Sequence, residues 1–278
     1  MRLVRAELVK IRTTNAWWLF TLTAVVLAAL TFLLNLVNTN YLLDHTDALT
    51  EGLGPEQQQA ILAQLKPDVI AANLGTSGQF FGLLIVLVMG VMVATTEFFH
   101  QTVTTTFMTT PHRSTVIGAK LVASALLGAL IWLVTSALTI PATLIYLASR
   151  HLDAGLGDAS VLRAYGLNLL AYVLWAIFGV GFGVLLRSQI AATVTAIILY
   201  LAGYIGALII FSVLENWLGW EWIQKLQVIV PSLASQLMVT NAELPGSPPQ
   251  WLGAVVLIAY AAVSGVVGTL IVRTRDVS

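Results

Sequence analysis

The chain reads as an all-α polytopic membrane protein with six transmembrane helices, and three observations carry that reading. Hydrophobic residues make up 58% of the 278 and charged residues only 9%, against about a quarter charged in soluble proteins. The apolar residues fall into blocks free of Asp, Glu, Lys, Arg and His, each long enough to cross roughly 30 Å of hydrocarbon at about 1.5 Å per residue. The basic residues also gather on one side of the spans that those blocks define.

Residues 1–15, MRLVRAELVKIRTTN, place Val4, Leu8 and Ile11 at helical spacing, with Arg2, Arg5, Lys10 and Arg12 mostly around the other side. This pattern predicts an amphipathic helix in the headgroup region, its cations toward anionic lipid. The first span is expected at about 16–37, opened by Trp17 and Trp18. No small-residue site closes it, so no cleavable signal peptide is expected. Residues 38–77 are polar and acidic and read as an external helical hairpin or surface helix, with Pro55 in a first turn and Pro67 as a break.

The second span is expected at about 79–96, and the third at about 121–147 with a kink or tilted end at Pro141. The fourth falls at about 165–186. Arg187, Ser188 and Gln189 turn the chain tightly into the fifth, at about 190–213. Residues 214–250 are an external, aromatic segment whose Trp217, Trp220 and Trp222 suit an interface. Its apolar run 223–238, interrupted by Pro231, is too short to span and predicts re-entrant or surface helices. The last span is expected at about 251–272. The whole forms a single membrane domain.

Six spans put both termini on one side. The segments there hold nine of the thirteen basic residues: Arg2, Arg5, Lys10, Arg12, Arg113, Lys120, Arg187, Arg273 and Arg275. The acidic residues divide the other way, three (Glu7, Glu97 and Asp276) against ten. The positive-inside rule therefore predicts cytoplasmic termini and a cytoplasmic loop at 97–120, EFFHQTVTTTFMTTPHRSTVIGAK. That loop has few charges, many hydroxyls, Phe and Met, and a sharp Pro111 end, which suits a short helix docking into a cleft of another protein.

Several chemistries lack their residues. Spans without ionisable groups argue against proton relays, ion pumps and voltage sensing. No GxxxxGK[ST] phosphate loop occurs, and there are no cysteines, so no disulfide or thiolate site forms. Gly179, Gly181 and Gly183 lie inside an apolar helix, where close helix packing is their expected use. Gly75-Thr76-Ser77-Gly78 resembles the nucleophile motif of rhomboid intramembrane serine proteases, which would make Ser77 a nucleophile. That chemistry needs a histidine base from a later span, and His45, His100, His112 and His151 all lie in loops, so a flexible turn is the better reading. No metal site is expected, and no catalytic residue.

Glu97, Phe99, Thr102, Thr105, Thr106, Pro111, Arg113 and Lys120 together resemble the first cytoplasmic loop of type-2 ABC exporter permeases. The opening Glu7-Leu8-x-Lys10-Ile11-Arg12-Thr13-Thr14 and Val230-Pro231-Ser232 are similar to the same family. One departure is Gln101, where the family commonly has glycine, which alters the turn ahead of the loop helix.

The resemblance implies a permease subunit paired with a second copy or homologue and bound to a separate ATP-binding cassette ATPase subunit, which holds the ATP and Mg. This chain would bind no cofactor, would not itself be an enzyme, and would meet membrane lipid but no nucleic acid. It would sit in the plasma membrane and act as an exporter. Residues 100–110 would form the coupling helix, with Glu97, His100, Thr102, Thr105, Thr106, Pro111 and Arg113 serving ATPase coupling, Glu97 and Arg113 by bracing its ends, and Lys120 anchored at the headgroups. Asn35, Asn38, Phe80, Phe81, Tyr200 and Tyr204 would line a substrate path suited, for want of charge, to an amphipathic or apolar molecule: a drug, antibiotic, lipid or peptide. A membrane scaffold that transports nothing is the third reading.

Overall fold

The structure, a computed structural model, describes residues 2–102, 108, 113–152, 157–186, 188–219, 222–241 and 248–274. Among them all regular structure is helical, and six helices are long and apolar enough to cross a membrane. The protein is thus an all-α polytopic membrane protein.

A short amino-terminal helix α1 (Arg2–Thr13) leads into the first long helix, α2 (Ala16–Asp44). Helix α2 outruns the expected 16–37 by two turns. Its polar extension is bolted to a neighbour: the Tyr146 hydroxyl and the Arg150 guanidinium both donate to Asn40 Oδ1, and Arg150 pairs with Asp44. Three short helices follow, α3 (Thr46–Thr50), α4 (Pro55–Gln64) and α5 (Pro67–Gly75). Pro55 and Pro67 each occupy a first turn, where the missing N–H has no partner to lose.

Helix α5 is not a surface helix. Val69, Ile70, Ala71, Ala72 and Leu74 are all buried, so apolar composition draws it into the bundle ahead of α6 (Gln79–Phe99). The Gly75–Gly78 turn between them is tightly held, with the Gly75 carbonyl accepting from Thr139 Oγ1 at 2.7 Å and the Gly78 carbonyl from the Tyr172 hydroxyl at 3.1 Å. The flexible turn expected there is instead a packed corner.

Helix α7 (Arg113–Ser149) begins well before the expected 121 and contains Pro141 without ending there. Helices α8 (Ala159–Leu186), α9 (Gln189–Leu218) and α12 (Gln250–Thr274) supply the remaining spans. Ser188 caps α9 by accepting from the Ala191 N–H, and Gly219 closes it in the left-handed conformation (φ 68°). Between α9 and α12 come α10 (Trp222–Lys225), a 3₁₀ turn (Leu226–Ile229) and α11 (Pro231–Val239). Helix α11 packs into the bundle: Ala234, Ser235 and Met238 are fully buried, whereas Trp217 and Trp222 lie exposed ahead of it.

Helix α6 is the axis of the bundle and α8 its main partner, with α7 and α12 also packed on α8. The approach of α6 and α8 depends on two facing glycines. A Cβ at Gly90 would collide with the Ala176 carbonyl, and one at Gly179 with the Leu87 carbonyl. Small residues thus bring backbones together where lipid offers no hydrophobic drive between helices. By contrast α2 and α9 lie at the edge, with Leu34, Val37, Ile209 and Val213 among their exposed side chains.

Candidate functional site

At one end of the bundle, four charged residues from three helices meet. Glu7 comes from α1, Glu97 from the last turns of α6, and Lys120 from the third turn of α7. Lys120 Nζ donates to Glu7 Oε2 at 2.9 Å and to the Val93 carbonyl at 3.2 Å, and lies 3.3 Å from Glu97 Oε1. Lys10 Nζ closes the ring, at 2.8 Å from Glu7 Oε1 and 2.6 Å from Glu97 Oε1. Two cations and two carboxylates cancel.

Lys120, Glu7 and Glu97 are almost wholly buried, while Lys10 remains half-exposed. Burial opposes the charge on Lys10, but its hydrogen bonds to Glu7 and Glu97 outweigh that and raise its pKa above the ordinary lysine value. Buried charge is tolerated only when paired and hydrogen-bonded, so the cluster fixes α1 against α6 and α7. Lys120 is therefore no headgroup anchor, and Lys10 does not simply face lipid. A cavity of about 60 Å³ lies beside the cluster, walled by Trp17, Phe20 and Met89.

Directly beyond Glu97 the chain turns out of α6. The Thr102 N–H bonds the Glu97 carbonyl at 2.9 Å and the Gln101 N–H bonds that of Phe98 at 3.3 Å, the paired bonds of a Schellman stop. Gln101 takes the left-handed position (φ 56°), which explains why glycine suits this place in the resembling pattern. Phe99, His100, Gln101 and Thr102 are exposed. Thr105, Thr106 and Pro111, with most of the expected coupling helix, lie outside the described residues, and Arg113 begins α7. Of the expected coupling residues, then, His100 and Thr102 face outward, whereas Glu97 faces inward and supports the loop from below.

At the opposite end, α2, α5, α6 and α11 enclose a cavity of about 330 Å³. Asn35, Asn38 and Phe80 line it together with Asn73, Gln64 and Gln236. Asn35 Nδ2 donates to Ser77 Oγ at 3.0 Å, and that hydroxyl in turn donates to the Asn73 carbonyl at 3.0 Å. A serine proton committed to a backbone carbonyl is not being passed to a base.

Phe80 leads from the cavity into an aromatic group. It lies 5.1 Å from Phe81, 5.3 Å from Tyr200 and 4.9 Å from Tyr204 between ring centroids. The Tyr200 hydroxyl donates to the Phe80 carbonyl at 2.6 Å and its ring is buried, so Tyr200 braces α6 rather than facing open space. The six expected path residues are therefore grouped at one end, with Asn35, Asn38 and Phe80 on the cavity wall.

Sequence reasoning missed Glu7 and Lys10 as partners of Glu97. A signal existed: Glu7 shares the helical stripe of Val4, Leu8 and Ile11, where a lone carboxylate needs a cation. It also missed Asn73 and Gln236, whose segments read as external, and gave Gln79, at the start of the second span, no role. No protein-family model matches this chain, and no curated protein matches it.

Proposed function

We propose that the chain is the permease subunit of an ABC exporter in the plasma membrane, pairing with a second permease copy or homologue and driven by a separate ATP-binding cassette ATPase. The observation that carries this reading is the convergence of Glu7, Lys10, Glu97 and Lys120, residues on which the family resemblance rests, into one buried cluster under the loop 97–120. The excess of basic residues at that end supports a cytoplasmic side for it and for both termini. A chain without a phosphate loop needs an external push, and a push on His100 and Thr102 reaches three helices at once through the cluster.

The rest of the molecule is in keeping with that role. The exposed apolar faces of α2 and α9 leave room for a second copy beside the first and fifth spans. The cavity at the far end offers a place for an amphipathic substrate, a drug, antibiotic, lipid or peptide, before release.

Co-expression with an ATP-binding cassette ATPase tests the reading. The two subunits should co-purify, and shuffling residues 100–110 should abolish transport-linked ATP hydrolysis while leaving the melting of the membrane domain unchanged. Hydrolysis that survives the shuffle removes the coupling role. Failure to capture any ATPase leaves the chain a scaffold.

A further inference from the structure

The cavity between α2, α5, α6 and α11 carries no ionisable side chain among its described wall residues, yet most of that wall is polar. Its polarity is mainly carboxamide. Some of these amides are spoken for within the protein: Asn35 is bonded to Ser77, and Gln79 Nε2 donates to the Ser235 carbonyl at 3.1 Å. Asn38, Gln64, Asn73 and Gln236 make no hydrogen bond through their carboxamides to another described residue. They come from four different helices, α2, α4, α5 and α11, so they converge across the cavity and do not form a stripe on one helix. Ile70 and Phe80 supply apolar wall between them.

Each carboxamide offers two N–H donors and a carbonyl acceptor in one plane. That is the complement of a peptide group, which presents one donor and one acceptor. A phosphate headgroup would leave its charge without a cationic partner among the described wall residues. A purely apolar molecule would strip water from the amides and return no hydrogen bonds. We infer that this cavity binds an uncharged peptide segment, its backbone paired with Asn38, Gln64, Asn73 and Gln236 and its aliphatic side chains against Ile70 and Phe80. This rests on reading the cavity as part of the substrate path, and it narrows the substrate to a neutral, amide-rich one.

The test is equilibrium binding to the protein alone, without any ATPase, in phosphatidylcholine nanodiscs, with tritiated N-acetyl-Leu-Ala-Leu-amide as probe. Saturable binding is expected. The backbone N-methylated analogue, which keeps the side chains but loses its donors, should bind at least about tenfold more weakly, as the loss of one good hydrogen bond implies. Asn38→Leu with Asn73→Leu should weaken the capped peptide by a similar factor and leave the melting midpoint unchanged.

No saturable binding, equal binding of the N-methylated analogue, or full affinity in the doubly substituted protein overturns the inference. Preference for the same peptide with free, charged ends overturns it too. Saturable binding of tritiated phosphatidylglycerol where the peptide shows none would overturn it in favour of a lipid headgroup as the occupant. Because no ATPase is present, peptide binding can stand while co-purification fails, and the reverse, so the two readings fall separately.

Discussion

The two ends of this bundle handle buried polarity in opposite ways. At the Glu97 end charged side chains are buried in mutual pairs, and three helices are fixed by the Glu7–Lys10–Glu97–Lys120 cluster. At the far end the polar groups are neutral amides, more numerous and open to a cavity of about 330 Å³. A charge withdrawn from water must meet its opposite at once, so a charged cluster tolerates one geometry. A carboxamide costs less to bury and can exchange a water for a protein or ligand partner. The first arrangement suits a rigid joint, the second a site whose occupant comes and goes.

The largest expected effect comes from breaking the joint. Lys120→Met removes the buried cation that pairs with Glu7 and Glu97, and should cost about 3–5 kcal/mol, the range for unpairing a buried ion. The midpoint of heat-induced unfolding in detergent measures it. Adding Glu7→Gln restores charge balance, leaving the Lys10–Glu97 pair at 2.6 Å, and should recover part of the loss. If it recovers nothing, Lys120 acts through packing and the contrast between the ends collapses.

At the far end, even a buried amide should cost less. Gln79→Leu removes a second donor from the Ser235 carbonyl, which keeps its intrahelical bond, and should destabilise by about 0.5–1.5 kcal/mol, the net worth of one hydrogen bond. A loss as large as that of Lys120→Met would show that the amide end is as rigid as the charged one.

Sequence carried the fold class and the spans because hydropathy and charge bias are local and summed over many residues. It did not carry the ends of the spans. Asn38, Thr39 and Asn40 look like the start of a loop, yet α2 continues through them because Tyr146 and Arg150, more than a hundred residues on, bind Asn40. Helix α5 looked external because the acidic run 44–68 precedes it, although its own residues from Val69 to Leu74 are mostly apolar.

The candidate site divides along the same line. Glu97 and Lys120 were visible as motif residues, but their roles were set by Glu7 and Lys10 on another helix. At the cavity, Asn35, Asn38 and Phe80 were legible at span ends. Asn73 and Gln236 were not, since nothing local tells that α5 and α11 fold inward to the same place.

A smaller effect lies where the joint meets the loop. Gln101 holds a left-handed backbone (φ 56°), a conformation glycine adopts without a Cβ clash. Gln101→Gly should relieve that strain and stabilise the stop of α6, set against the entropy that glycine adds to the unfolded chain. The net gain should be no more than about 1 kcal/mol, read from the same unfolding midpoint. A marked loss would mean that the Gln101 side chain holds the loop in place.

The smallest expected effect is the sharpest test of the contrast. Asn38→Leu and Asn73→Leu each replace an exposed carboxamide that bonds no described protein group, so each should shift stability by no more than about 0.5 kcal/mol. The cluster residues, similar in polarity by composition, should each cost several times that. A stability loss of 2 kcal/mol or more at Asn73, on the order of one unpaired buried group, would mean that this amide is a structural strut and that the cavity wall is as fixed as the ion ring. A near-zero loss leaves these amides unspent in folding and available to a ligand, which is the condition under which their substitution reports on binding alone.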